Sequence, residues 1–312
     1  MNLHHLSIFA AVAGTGSLTA SARKLHISQP ALSRELKTFE ARLGVTLFER
    51  HSRGMRLTQA GQVLHHYAKR LFELEQTAEA TLREIAGARR GRLAIGASNT
   101  IGTYVLPRLL AAFRLQRPEV QVSVFVGNTE QVSEGVDDMR FNLGFIEGPL
   151  HRAGLNAAIF QQDEIVPVAA PGHPLLRKRR LTPADVSGQP LLVRESGSGT
   201  RELVAAALTR HGVVQGRTME LGNTEALKRA VIHGGGIAWL PRICMASEVR
   251  AGTLRELPVR ELTIVRPLMV LSRDGAPVEP AAAAFLQLLQ GEPSAKAPRT
   301  APSDPPPTPR AR

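Results

Sequence analysis

Residues 18–44 read "LTASARKLHISQPALSRELKTFEARLG", a run of helix formers interrupted once, at Ser28-Gln29-Pro30. Proline has no N–H to donate and is tolerated only in a first helical turn, and serine is a good N-cap, so a second helix starts at this point. From there Leu32, Leu36, Phe39 and Leu43 recur at spacings of four, three and four, which puts them on one face. The other face carries Pro30, Ser33, Arg34 and Lys37, with Ser28 and Gln29 at the tip. Upstream, Leu18, Ala22 and Leu25 form the apolar stripe of a shorter helix, with Thr19 and Ser21 near its N-terminal end. The unit is helix, tight turn, helix. In the DNA-binding form of this motif the second helix enters the major groove, where Gln pairs with adenine and Arg with guanine or phosphate. An ordinary helical hairpin with a solvated charged face would read the same over this stretch alone.

The following residues, "VTLFERHSRGMRLTQAG" (45–61), favour the DNA-binding form. Val45, Leu47 and Phe48 read as packing positions, and Arg50, Arg53 and Arg56 crowd round Ser52 and Gly54 as a basic hairpin, or wing. Residues 18–61 hold eight Lys or Arg against three Asp or Glu. The whole chain is basic, at +12, yet residues 1–90 carry 13 cations against 7 anions, while residues 91–290 carry 22 against 18. Charge is densest where the motif lies, as a phosphate backbone requires.

From Ser21 onward, "SARKLHISQPALSRELKTFEARLGVTLFERHSRGMRLTQAG" resembles the N-terminal signature of the LysR-type bacterial transcriptional regulators, with Ser21 replacing the usual alanine. The match is dense from residue 3 to about 61, and the order of later segments agrees to about residue 290. The resemblance implies groove-facing roles for Gln29, Pro30, Ser33 and Arg34 and a wing role for Arg53. It implies a fold with an N-terminal all-α winged helix-turn-helix plus a long linker helix. A C-terminal α/β, two-lobed effector domain, like a type II periplasmic binding protein, would follow. Phe39 stands where the family usually has leucine, which is a core position and touches no DNA contact.

Thr58 as cap and Gly87 as stop bound a long helix in which Leu64, Tyr67, Leu71, Leu74, Ala78, Thr81 and Ile85 alternate spacings of three and four. That is the a/d seam of a two-stranded coiled coil, so the chain is expected to pair with itself. A paired reading head would recognise an imperfect inverted repeat in double-stranded promoter DNA. Dimers pairing into tetramers, and RNA polymerase as a further partner if the protein activates, are expectations of the same kind.

Residues 92–290 alternate strand-like runs ("RLAIGAS", "VQVSVFVGN", "LGFIEG", "PLLVRES", "RTMELGN", "GIAWLP") with amphipathic helices, an α/β pattern in two series. The runs near 161–175 and 261–275 read as strands crossing between two lobes. The expected organisation is a DNA-binding domain at 1–61, a linker helix at 58–88 and an effector domain at 92–290. Lobe 1 would hold 92–161 and 266–290, lobe 2 would hold 162–265, and a Pro-rich tail at 291–312 would be disordered.

Ligands of open α/β sheets bind beyond the carboxyl ends of strands, where helix N-termini offer N–H groups. Those positions hold Ser98, Asn99, Thr100, Asn128, Thr129 and Glu147 in one lobe. In the other they hold Ser196, Gly197, Ser198, Gly199, Thr200, Asn223 and Thr224. "ESGSGTRE" (195–202) is the sharpest: its glycines let backbone approach a ligand, Thr200 opens the next helix, and the loop suits a carboxylate, sulfite, sulfate or phosphate group. A small anionic metabolite is therefore the expected effector. Glu147 would repel it unless Arg201 or a ligand cation offsets the charge. The "IGTYVLP", "VGNTE", "FIEGP" and "ESGSGTRE" runs also resemble, more weakly, the branch of the family linked to sulfur assimilation and carbon-fixation operons. That branch implies a sulfur oxyanion, an acetylated amino acid or a phosphorylated sugar as inducer, without choosing among them.

At 312 residues and 43% hydrophobic content the chain can build two or three compact units. It shows no run of 18 apolar residues and no basic n-region before its first apolar stretch, so a cytoplasmic protein with no membrane partner is expected. Cys244, the single cysteine, excludes an internal disulfide and makes no metal site by itself. No metal or cofactor is expected. Enzyme motifs with nucleotide-binding, metal-binding or nucleophile-elbow spacing are missing, although Ser196 or Ser198 is a conceivable nucleophile. A solute-binding protein would explain the C-terminal two thirds but leave the first 87 residues without a purpose.

Overall fold

The computed structural model describes residues 2–51, 54–85 and 91–291, which form two compact units. In the first unit, α1 (Leu3–Thr15), α2 (Leu18–Lys24) and α3 (Gln29–Leu43) pack round one apolar cluster containing Phe9, Val12, Ala22, Leu32, Leu36, Phe39 and Leu47. Each helix start has a local cause: Asn2, Ser17 and Ser28 accept hydrogen bonds from His5, Ala20 and Ala31 N–H groups, respectively. The cap of α2 is thus Ser17. Ser21 is instead buried and hydrogen-bonds Thr15 and the Ser17 carbonyl, while Thr19 is exposed. Gly44, at φ 69°, ends α3 in the left-handed conformation that glycine adopts without strain.

Next come β1 (Phe48–His51) and β2 (Gly54–Leu57), an antiparallel hairpin in which Glu49 lies opposite Arg56 and Arg50 opposite Met55. Glu40 fixes its base, accepting from the N–H groups of Leu47 (2.7 Å) and Phe48 (3.2 Å). Leu47 and Phe48 are buried, but Val45 is exposed: one residue beyond the glycine cap, it faces an apolar groove with Leu43, Val63 and Tyr67. Thr58 then caps α4 (Gln59–Ile85), accepting from Gly61 N–H at 3.0 Å. Along α4, Leu64 packs partly into the cluster, whereas Val63, Tyr67, Leu71, Leu74, Ala78 and Leu82 are exposed. Of the expected seam, Tyr67, Leu71, Leu74 and Ala78 are therefore exposed and Leu64 turns inward, while Val63 and Leu82 are exposed beside it. Gly87 and the side chains of Thr81 and Ile85 lie outside the described residues.

The second unit begins with β3 (Arg92–Ser98), α5 (Asn99–Tyr104), α6 (Leu106–Gln116), β4 (Gln121–Gly127), α7 (Thr129–Asp137) and β5 (Leu143–Glu147). β3 runs parallel to both β4 and β5. β6 (Leu155–Ala169) then leads through a 3-10 turn (Pro174–Arg177) to α8 (Pro183–Val186), β7 (Leu191–Arg194), α9 (Gly199–Arg210), β8 (Thr218–Leu221) and α10 (Thr224–Ile232). The chain continues with β9 (Ala238–Pro241), α11 (Ala246–Ala251), β10 (Arg255–Glu256), β11 (Ile264–Arg273) and α12 (Pro280–Gly291).

β6 and β11 are long antiparallel partners, running from Ile264 opposite Ile165 to Arg273 opposite Leu155, with a bulge at Leu268/Met269. On one side of the bulge β11 pairs with β5, and the Leu93–Ile95–Phe113–Phe145–Phe285 core lies there. On the other, β6 pairs with β9 and β10, beside cores containing Trp239, Val204 and Leu262, and Val166, Leu227 and Leu240. The pair passes through both lobes. β6 starts at Leu155, earlier than the 161–175 run suggested, and stops at Ala169 before Pro171 and Pro174, which have no N–H to give a ladder. Among the described residues no helix is long and apolar enough to cross a membrane.

Candidate functional site

On the first unit, Ser28, Gln29, Pro30, Arg34 and Lys37 are exposed on α3, and Ser33 is half-buried. Burial of Leu32, Leu36 and Phe39 on the opposite face turns this row outward. Arg50 and Arg56 are exposed on the hairpin, and Arg53 lies outside the described residues. His5 reaches the same helix from α1, stacking on Phe39 at 5.5 Å and meeting Glu35 at 3.1 Å.

In the second unit the strand ends meet at a buried charge cluster that the sequence reading missed. Arg266 on β11 is directly opposite Asp163 on β6, and both are buried. The Arg266 guanidinium donates to Asp163 through Nε (3.1 Å) and Nη2 (2.8 Å), to Thr200 Oγ1 through Nη1 (2.8 Å), and to Thr100 Oγ1 through Nη2 (3.4 Å). Thr200 therefore serves as a hydroxyl acceptor one residue inside α9, whose cap is Ser198. Glu147 ends β5 with its carboxylate 3.7 Å from the same guanidinium, and Ser98 Oγ donates to it. Arg266, and not Arg201, is the cation facing Glu147. Arg201 is engaged by Glu220 at 2.5 Å and by the Arg194 carbonyl at 2.9 Å. Burial pushes the Glu147 carboxyl above its ordinary range, outweighing the pull of Arg266 and the Thr100 hydroxyl.

One flank of this cluster is closed by backbone. Thr129 Oγ1 accepts from Gly199 N–H (3.2 Å) and donates to the Glu147 carbonyl (3.1 Å). Glu130 N–H donates to the Gly197 carbonyl (3.2 Å), and Asn128 Nδ2 donates to the Ser196 carbonyl (3.2 Å). A Cβ on Gly148, at φ 101°, would fall 2.7 Å from Gly199 Cα, so only glycine permits this approach. Beside these contacts lies a groove of about 650 Å³ lined by Thr129, Glu130, Ser133, His151, Arg152, Ser196–Gly199 and Arg201, among others. On another flank, Lys228 is buried and donates to Tyr104 OH (2.9 Å) and the Cys244 carbonyl (2.8 Å), with Glu225 and Glu248 at 2.8 Å. Burial holds the Cys244 thiol well above its ordinary value, so it is a packing group and no nucleophile.

Of the expected residues, Ser98, Thr100, Asn128, Thr129, Glu147, Ser196, Gly197, Ser198, Gly199 and Thr200 gather at this junction. Asn99 is spent locally, donating to the Gly127 carbonyl at 2.8 Å. Asn223 is exposed and caps α10 by accepting from Ala226 N–H. Thr224 accepts from buried Arg194 (2.8 Å), whose Nε and Nη2 grip Glu195. The sequence offered half a signal: Arg266 is a lone charge within the apolar run "TIVRPLM", whereas Asp163 stands beside Glu164 and is not marked out by its neighbours.

Residues 3–62 match the bacterial regulatory helix-turn-helix proteins of the lysR family, and residues 86–294 match the LysR substrate binding domain. The chain belongs to the LysR family. It is a DNA-binding transcriptional regulator with an effector-binding domain, and the family consists of regulators and not enzymes. This LysR-family chain is 39% identical to the HTH-type transcriptional regulator YeiE of Escherichia coli (strain K12), over 86% of this chain and 90% of YeiE. It is 37% identical to the HTH-type transcriptional regulator CbbR of Rhodospirillum rubrum, over 93% of this chain and 96% of CbbR. The solved regulatory domain of CcmR from Synechocystis PCC6803, in complex with 2-PG, is similar over 64% of this chain and 96% of that domain, with 31% identity and a TM-score of 0.60.

The Arg266–Asp163 pair generates the first prediction. Arg266→Met leaves a buried carboxylate without its partner and should destabilise the LysR-family chain by about 3–5 kcal/mol, whereas Arg266→Met with Asp163→Leu should recover much of the loss. Urea denaturation of the two variants tests this; equal losses would show that the pair is not the origin of the effect.

Proposed function

We propose that this regulator reads an inverted-repeat operator as an oligomer joined through α4, and that a small oxyanion bound at the junction of the two lobes switches it. The exposed Ser28–Lys37 row of α3 carries the first part, because it stands with the exposed Arg50 and Arg56 of the adjoining hairpin, a concentration of cations that a merely solvated helix face does not require. Gln29, Ser33 and Arg34 contact base edges, while Lys37, Arg50, Arg53 and Arg56 neutralise phosphates. Along α4, the exposed apolar ridge from Val63 to Leu82 is more than a surface helix keeps unless another chain covers it.

The oxyanion reading rests on the convergence of hydroxyls and glycine backbone at Thr129 and Ser196–Gly199, bordering the groove. It is supported by the 2-PG complex of the similar CcmR domain. The RuBisCO operon transcriptional regulator of Allochromatium vinosum, among the relatives, agrees with the carbon-fixation branch of the family. Since Arg266 is already balanced by Asp163, an ionised Glu147 would make the cluster net negative. The anion is therefore received with Glu147 protonated, the form that burial favours. Rearrangement of the lobes on binding alters the spacing of paired reading heads, the bend of the operator and, at an activated promoter, contact with RNA polymerase.

Three outcomes check this reading. Arg34→Ala should weaken binding to a duplex selected from a random pool by the wild-type protein by about 1–3 kcal/mol, and unchanged gel-shift affinity would remove Arg34 from the contact set. Leu71→Asp with Leu74→Asp should convert the oligomer to monomers in sedimentation at micromolar concentration, without loss of helix content; a persistent dimer would place the interface elsewhere. Sulfate does not titrate near neutrality, so its calorimetric affinity should fall as pH rises through the range in which the Glu147 carboxyl, raised by burial, loses the proton that binding requires. Glu147→Gln should bind sulfate with little pH dependence. A wild-type affinity that is flat or rises with pH would overturn the protonated-Glu147 scheme.

A further inference from the structure

The effector unit carries a feature that neither operator reading nor effector binding uses. Residues 177–180 read Arg-Lys-Arg-Arg, four consecutive cations, all exposed. Within residues 91–290, where Lys and Arg number 22 and Asp and Glu 18, this one run equals the entire positive surplus. The loop is held at both ends. Leu175 and Leu181 are buried in the core of lobe 2 with Val186, Leu257 and Leu262. His173 Nδ1 accepts from Leu175 N–H at 3.3 Å, and Asp185 accepts from Thr182 N–H at 2.8 Å. Asp185 also pairs with Lys178 at 2.5 Å. Among the described residues, Arg177, Arg179 and Arg180 have no carboxylate partner. Arg255 and Arg260, also exposed, flank Leu257 and Val259, which are buried in that same core. Nearby Glu256 is taken by Arg242 at 3.0 Å, while Glu261 is exposed.

Adjacent unpaired guanidinium groups repel one another, so a polyanion that neutralises them together is bound favourably. Between Leu175 and Thr182 no aliphatic side chain is exposed and there is no aromatic, so the loop lacks the apolar anchor on which protein partners dock. Guanidinium forks without an anchor suit phosphate, which they grip bidentately and without regard to sequence. We propose that the Arg177–Arg180 loop is a second DNA contact of this regulator, made to the phosphate backbone outside the helix-turn-helix and wing. The proposal rests on the DNA-binding reading, which it extends to a surface of the effector unit. The loop adds affinity and salt dependence to every duplex alike and contributes nothing to the choice of operator.

The test titrates the full-length protein with a random-sequence duplex at several salt concentrations. Arg177→Ala, Arg179→Ala and Arg180→Ala combined should lower the slope of log affinity against log salt by about two to three, at roughly 0.9 per phosphate contact. A control removes the same charge from exposed helix-end positions of lobe 2: Arg210→Ala, Arg229→Ala and Arg250→Ala combined should leave the slope close to wild type. A loop variant with the wild-type slope, or a control that lowers it equally, overturns the proposal while leaving the operator reading intact. A loop variant that keeps its DNA slope but loses binding to polyglutamate would assign the surface to an acidic protein and overturn it as well. Absence of any duplex binding by the wild-type chain would remove both readings together.

Discussion

A guanidinium buried between two crossing strands must find partners for its charge and donors within the protein, and Arg266 finds them on both sides of the effector unit. Asp163 lies opposite it in the strand pair, Thr100 comes from the helix after β3, and Thr200 comes from the helix after β7. One side chain thereby fixes the register of β6 against β11 and ties a hydroxyl from each lobe to the same point. A slip of one residue would leave both charges unpaired in the interior, a far larger penalty than any single lost ladder bond.

The rest of the junction follows from that anchor. With both lobes drawn to Arg266, Glu147 is carried into the interior, where Ser98 reaches it, and its carbonyl accepts from Thr129. Thr129 in turn receives the first N–H of α9. The closest approach, between Gly148 and Gly199, is made by backbone alone. The hydroxyl and glycine content of the strand ends is thus a single arrangement: small groups allow proximity, and hydroxyls both donate and accept, so they can change partners without leaving a buried atom unsatisfied.

Much of this was readable from residues, and the unread parts share a cause. The helix-turn-helix was legible because Ser28, Pro30 and the Leu32–Phe39 stripe are local signals, each interpretable within one or two turns. The strand ends were legible because Ser, Thr, Asn and Gly after an apolar run mark a loop whatever the fold. Arg266 and Asp163 were not read, since their pairing spans 103 positions and depends on strand register, which no local pattern carries. Assigning Arg201 to Glu147 failed likewise: both face the junction by position, but Glu220 on the neighbouring strand holds Arg201. On α4 the spacing placed Tyr67, Leu71, Leu74 and Ala78 on one exposed face, and it missed that Leu64, one turn earlier, packs on the first unit's own core, a contact that depends on where the helix leaves the hairpin and not on its period.

The strand order also bears on how the protein is made. Lobe 2 lies inside lobe 1 along the chain, so the pieces of lobe 1 arrive in two batches separated by the whole of its neighbour. β11, which pairs with β5, and α12, whose Phe285 meets Phe113 and Phe145 edge to face, come last. On the ribosome, β3, β4 and β5 emerge early and must wait with an open sheet edge and an uncovered aromatic core while the second lobe is synthesised. Premature termination before residue 264 would release a chain with most of lobe 2 assembled and lobe 1 uncovered, a natural client for chaperones and proteases.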